Sequence, residues 1–183
     1  MPGSANRPLL ILDLDETLIH AVATPLECRH DFRAGHYYVY KRPHVDFFLA
    51  TVSTAFKLAV WSSSTPDYVA AVVTQLFEDD GQLQFCWGRD RCTQRYHPEW
   101  QSSYWIKDLK KVKRAGYDLD RVLIVDDTPR KLERNYGNAV YVRPFAGDQD
   151  DEELQNLAPY LLSLAAFPNF RSIEKRGWRL RPS

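Results

Sequence analysis

Close pairs of acids, one hydroxyl and one lysine stand out in this sequence: Asp13 with Asp15, Asp126 with Asp127, Ser62 and Lys107. Carboxylates gathered in one place repel one another and need a counter-charge. A divalent cation supplies it, and Mg²⁺ suits carboxylate and carbonyl oxygens while sharing its shell with waters and phosphate. A carboxylate spared by the metal could attack phosphorus. A second, two residues along, could protonate the leaving oxygen and then activate water. A hydroxyl such as Ser62 and a cation such as Lys107 would hold phosphoryl oxygens, whose charge must be stabilised in transfer. This inventory suits phosphomonoester hydrolysis. Taken singly, an Asp-x-Asp is a common loop feature, Ser62 reads as a helix cap and Lys107 as a surface charge. Only their placement joins them.

Placement follows from the elements. Leu9–Leu12 is a short, wholly apolar run that ends in acids, as a buried parallel strand does; Phe56–Trp61 and Val122–Val125 have the same form. After Trp61, Ser64 or Thr65 could cap a helix with Pro66 near its first position, running from Tyr68 to Phe77. After Val125, Asp126-Asp127-Thr128-Pro129 predicts another helix, through about Asn135. Strands alternating with helices define an α/β fold, a Rossmann-like doubly wound parallel sheet with right-handed crossovers. Ligands bind such sheets outside the carboxyl ends of the strands, where Asp13, Asp15, Ser62, Asp126 and Asp127 all fall. Lys107 precedes the helix leading to the last strand and reaches the same rim.

Two segments interrupt the alternation. Residues 20–42, with Tyr38-Val39-Tyr40 and Gly35, predict a small hairpin flap after the first strand. Residues 79–105, rich in Gly, Trp, Arg and Tyr, read as an insertion. A helix over 151–166 follows from the spacing of Leu154, Leu157, Leu161, Leu162 and Leu164, mildly interrupted by Pro159. The resulting division is a flexible 1–6, one domain over 7–170 and a basic tail over 171–183, expected to fray.

Composition bounds what such a domain does. The 183 residues fit one domain, and a 44% hydrophobic fraction supplies a core and excludes a disordered chain. Lys+Arg 24 balances Asp+Glu 24, which argues against coating nucleic acid or an acidic membrane. The balance conceals segregation: Lys110, Lys111, Lys113, Arg114, Arg130, Lys131 and Arg134 crowd the elements beside the acids, with Arg89 and Arg91 on the insertion. Cys28, Cys86 and Cys92 form an odd set without a C-x-x-C pair, read as buried thiols of a reducing compartment. No stretch approaches the roughly 20 apolar residues of a membrane span, and no secretory signal opens the chain, so an intracellular, soluble protein is expected. Nothing in the sequence bears on oligomeric state.

The motifs also carry a resemblance. Asp13-Leu14-Asp15-Glu16-Thr17-Leu18-Ile19-His20 resembles the signature of the haloacid dehalogenase superfamily in the form of its C-terminal-domain phosphatase branch, the NLI-interacting-factor-like phosphatases. Tyr38 to Asp46, Trp61-Ser62-Ser63-Ser64, Ile106-Lys107-Asp108-Leu109, Val125 to Pro129 and Glu153 to Leu161 are similar to further segments of that branch, in order. The resemblance implies that Asp13 is the nucleophile and a Mg²⁺ ligand. Asp15 would be the general acid and base and lend the metal its backbone carbonyl. Ser62 and Lys107 would bind the phosphoryl group, Asp127 the metal, and Asp126 would ligate through water or orient Lys107. Ser63, Tyr68 and Arg89 would contact the substrate. Ser62 stands where the branch has threonine, the segment Thr93–Ile106 is longer than its usual connection, and the flap is shorter.

The expected function is therefore a Mg²⁺-dependent phosphatase of phosphoserine or phosphothreonine in proteins, acting through an aspartyl-phosphate. A small-metabolite or phosphotyrosine phosphatase with the same apparatus is the alternative. An inactive binding scaffold is disfavoured by the complete set of Asp13, Asp15, Ser62, Lys107 and Asp127. The expected partner is a phosphorylated protein or peptide, with neither nucleic acid nor membrane.

Overall fold

The computed structural model describes residues 7–77, 80–99 and 101–180. Residues 1–6, Trp100 of the expected insertion and Arg181 of the tail lie outside them. The chain order is β1 (Leu9–Leu12), β2 (Ile19–Val22), β3 (Phe32–Ala34), β4 (Tyr37–Lys41), α1 (Val45–Ser53), β5 (Lys57–Trp61) and α2 (Pro66–Leu76). Then come β6 (Cys86–Trp87), β7 (Thr93–His97), β8 (Ser102–Ile106), α3 (Lys110–Arg114), β9 (Val122–Asp126), β10 (Ala139–Tyr141) and α4 (Glu153–Leu164). Five strands form a parallel sheet in the order β10-β9-β1-β5-β6.

The central strands are apolar on both faces because both are covered. Alternation along each strand sends Leu10, Leu12, Leu58, Val60, Leu123 and Val125 into one core, packed against α1, α2 and α4. Leu9, Ile11, Ala59, Trp61, Val122 and Ile124 enter a second core on the opposite face, with Val112 of α3, Leu132 and Cys92. Two cores on one parallel sheet make the fold doubly wound, as the strand runs predicted. β1 lies between β5 and β9 in register, Leu12 opposite both Val60 and Val125, so three strand ends meet at one edge.

The flap is a three-stranded antiparallel sheet, β2-β4-β3, rather than a single hairpin. Segment 79–105 is only partly an insertion, since β6 continues the main sheet beside β5 before β7 and β8 form a hairpin of their own. The helix expected from Pro129 to about Asn135 is a 3-10 turn over Pro129–Leu132. A helix would need the Lys131 carbonyl for Asn135, but that carbonyl accepts the Lys107 N–H at 2.7 Å and Asn135 bonds to Leu132 instead. α4 runs through Pro159.

Nor does the tail fray through Leu180. Trp178 is buried and stacks on Tyr160 at 5.7 Å, its indole N–H donates to the Tyr141 carbonyl at 2.9 Å, and Arg179 pairs with Glu153. Of the three cysteines only Cys92 is buried; Cys28 is half-buried and Cys86 exposed, contrary to the expectation for all three.

Candidate active site

Every sequence-nominated acid emerges at the carboxyl edge of the sheet. Asp13 follows β1 directly, and its N–H donates to the Val125 carbonyl at 3.0 Å, locking it to the neighbouring strand. The chain then turns tightly, with the Leu14 carbonyl accepting from Thr17, Leu18 and Ile19 and Glu16 in the left-handed region at φ 57°. That turn brings Asp15 back over the edge. Ser62 follows β5, Asp126 is the last residue of β9, and Lys107 follows β8.

Lys107 is the buried hub. Its ammonium lies 2.8 Å from Asp13 and 2.5 Å from Asp126, with its side chain wholly removed from solvent. Lys131, from the 3-10 turn after β9, sends a second ammonium to Asp13 at 2.9 Å, Asp127 at 3.5 Å and Asp126 at 3.7 Å. Burial alone would raise the Asp13 carboxyl, but these two ammonium groups outweigh it and hold it below its ordinary value. Asp126 goes the other way, pushed up to about 6 by burial and by the charge of Asp13. Three carboxylates facing two ammonium groups cannot all be matched, and Asp126 takes the mismatch.

Asp15 stands outside this knot. Tyr68 donates to it at 2.6 Å and Ser64 at 2.9 Å. Burial nonetheless raises its carboxyl above the ordinary value, the direction a general acid requires. Tyr68 is thus committed to Asp15 through its hydroxyl, while its ring, edge-on to Tyr37 at 5.8 Å, lines a pocket of about 290 Å³. Asp15, Glu16, Ser64 and Arg89 line the same pocket. Arg89 is tied to the loop after β5, its Nε donating to the Ser63 carbonyl at 2.7 Å, and its guanidinium sits 5.8 Å from the Trp105 ring centre. Ser62 is buried, and its oxygen accepts the Ser64 N–H at 3.0 Å, which leaves the hydroxyl proton for another acceptor. Thr65 takes the helix N-cap position without a side-chain bond, and Ser64, the other candidate cap, serves Asp15 instead.

Three contributors escaped the sequence reading. Lys131 was one of several surface cations; its entry into the acid cluster depends on the 3-10 turn. Ser64 was a helix cap. Arg42, fully buried, grips Asp151 through two 2.8 Å bonds and donates to the Thr17 carbonyl at 3.1 Å, bracing the turn that carries Asp15. The Lys41-Arg42-Pro43-His44 string was its only signal.

Carboxylate oxygens of Asp13, Asp126 and Asp127 lie within 4.8 Å of one another. One of them, Asp127 Oδ1, is buried without a hydrogen-bond donor. An all-oxygen donor set in which the buried Asp127 Oδ1 has no hydrogen bond, the Lys131 ammonium standing 3.5 Å off, fits a hard cation such as Mg²⁺.

A carboxylate cluster and buried lysine at the switch point of this sheet, with a flap after the first strand, define a phosphatase domain of the haloacid dehalogenase type. The sequence model of NLI interacting factor-like phosphatases matches residues 8–171, and the chain belongs to that family. It is accordingly a hydrolase of the protein-phosphatase class. Among relatives, CTD nuclear envelope phosphatase 1 of Xenopus laevis is 34% identical over 190 residues, covering 96% of this chain and 74% of the relative. Its Drosophila melanogaster homologue is 33% identical with the same coverage. Among solved structures, that of Fcp1, an essential RNA polymerase II CTD phosphatase, superposes with a TM-score of 0.70 at 18% identity, covering 87% of this chain and 62% of Fcp1. That likeness concerns the fold. Among the described residues no helix is long and apolar enough to cross a membrane.

Proposed function

We propose that the chain is a Mg²⁺-dependent phosphatase that works through an aspartyl-phosphate and acts on phosphoserine or phosphothreonine in an extended peptide. The observation that carries this reading is the division of labour between two aspartates two residues apart. Asp13 is kept ionised by Lys107 and Lys131, and Asp15 is raised and exposed to the pocket.

An Asp13 oxygen attacks phosphorus while the bond to the leaving oxygen breaks, and Asp15 gives that oxygen its proton. Asp15, now a carboxylate, takes a proton from water as the water oxygen attacks the phosphorus of the acyl phosphate. Phosphate leaves and both aspartates return to their starting states. Lys107 and the Ser62 hydroxyl hold phosphoryl oxygens through the transfer. Asp13, Asp127 and the Asp15 carbonyl would hold Mg²⁺, with Asp126 orienting Lys107. The metal supplies charge neutralisation. Tyr68, Arg89 and the Ser63 segment form the substrate side of the mouth, and the naming of the relatives as CTD phosphatases supports a peptide substrate.

Turnover of phosphoserine, phosphothreonine and phosphotyrosine peptides beside a set of sugar phosphates tests the substrate class. Preference for sugar phosphates or phosphotyrosine would overturn it. Asp13→Asn is expected to lose all metal-dependent turnover of an aryl phosphate, and full activity in that variant would remove Asp13 as nucleophile.

A further inference from the structure

The two lysines in the carboxylate cluster are not equivalent. Lys107 is enclosed on every side and bound to Asp13 and Asp126 at 2.8 and 2.5 Å, so it has nowhere to go. Lys131 touches Asp13, Asp126 and Asp127, the same three residues whose oxygens converge as a cation site. Its backbone is pinned, with the N–H on the Thr128 carbonyl and the carbonyl on the Lys107 N–H. Its side chain keeps 19% exposure where Lys107 has none, and it carries the ammonium on a flexible four-carbon stem.

We propose that Lys131 is an internal counter-cation of this cluster, exchanged for the divalent metal ion when the enzyme is loaded. The ammonium and a metal ion would occupy the same space between the same three carboxylates, and two cations at contact distance there repel each other. Charge favours the exchange. Three carboxylates with two ammonium groups leave one negative charge, whereas three carboxylates with Lys107 and a divalent ion leave none. Without metal, Lys131 keeps the cluster from repelling itself. Metal binding therefore has to displace an ammonium already seated, which weakens affinity and makes loading sensitive to metal concentration.

The inference rests on the reading of this cluster as the divalent-cation site, and calorimetric titration of the metal-free full chain with Mg²⁺ separates the two. Lys131→Met is expected to bind Mg²⁺ at least tenfold more tightly than wild type. Its metal-free form should also melt lower, with the gap closing at saturating Mg²⁺. Equal or weaker Mg²⁺ affinity in Lys131→Met, with wild-type binding that is lost in Asp127→Asn, overturns the exchange and leaves the metal site standing. Absence of Mg²⁺ binding in both proteins overturns both. Should Lys131→Met fail to fold, reductive methylation of wild type decides. Lys131 is expected to react several-fold faster with Mg²⁺ than without it, and equal protection in both conditions refutes the exchange.

Discussion

Lys107 is the side chain on which the cluster depends most, and replacing it with methionine isolates its charge. Methionine retains an apolar stem of similar reach, so packing changes little while the ammonium between Asp13 and Asp126 disappears. Breaking a buried ion pair by removing one partner costs about 3–5 kcal/mol, because the orphaned charge stays buried. For a chain of this size each kcal/mol lowers Tm by about 2–4 °C, so the metal-free Lys107→Met protein should melt roughly 6–20 °C below wild type at pH 7.5. The loss should depend on pH. Without Lys107, Asp13 and Asp126 resist ionisation in the folded state more than in the unfolded chain. Their contribution is then favourable below the ordinary carboxylate range and is lost as pH rises through the raised folded values. The Tm gap to wild type is therefore expected to narrow from pH 7.5 to pH 4.5, read by calorimetry or circular dichroism. A gap below 2 °C at pH 7.5, or one that does not change with pH, would refute the assignment of Lys107 as the counter-ion of these two acids.

Other consequences can be measured in the same way. Asp126 sits at about 6 against an ordinary 3.8, so its ionisation removes on the order of 3 kcal/mol of stability as pH rises from 4 to 7. Metal-free Asp126→Asn should accordingly gain stability relative to wild type over that range in urea unfolding, and a constant difference would count against it. Gly88→Ala would place a methyl group 3.0–3.1 Å from backbone atoms of Pro66 and Ser64. It should cost about 1–3 kcal/mol and lower kcat/KM by moving Ser64 off Asp15; wild-type kinetics would show that the turn tolerates the shift. Arg42→Met should cost about 3 kcal/mol in chemical unfolding, since Asp151 is then left without its partner, and adding Asp151→Asn should recover part of that loss.

Much of this architecture was legible because parallel sheets constrain it tightly. Leu9–Leu12, Phe56–Trp61 and Val122–Val125 are too apolar to lie at a surface, and the acids and Ser62 at their ends then have one edge to occupy. What escaped was set by single contacts. Arg130 and Lys131 are adjacent and carry the same charge, yet the first lies 3.6 Å from the centre of the Tyr104 ring and the second enters the acid cluster. No spacing rule separates them, because the 3-10 turn that does so is fixed by a carbonyl bonded to Lys107. β6 has two residues and leaves no periodic trace. The tail is expected to fray because arginine and lysine dominate it, while its position is decided by Trp178.

The carboxylate cluster is assembled from remote parts of the chain, and this bears on when it comes into being. Asp13 and Lys131 are 118 residues apart in sequence, and β1 is completed only when β5 and then β9 have joined it. Pairings of such long separation close late and slowly. A refolding chain should regain helices and buried surface well before it regains catalysis. An interruption of the chain between β5 and β9 should leave two pieces, each with some of the acids and neither with the whole carboxylate cluster.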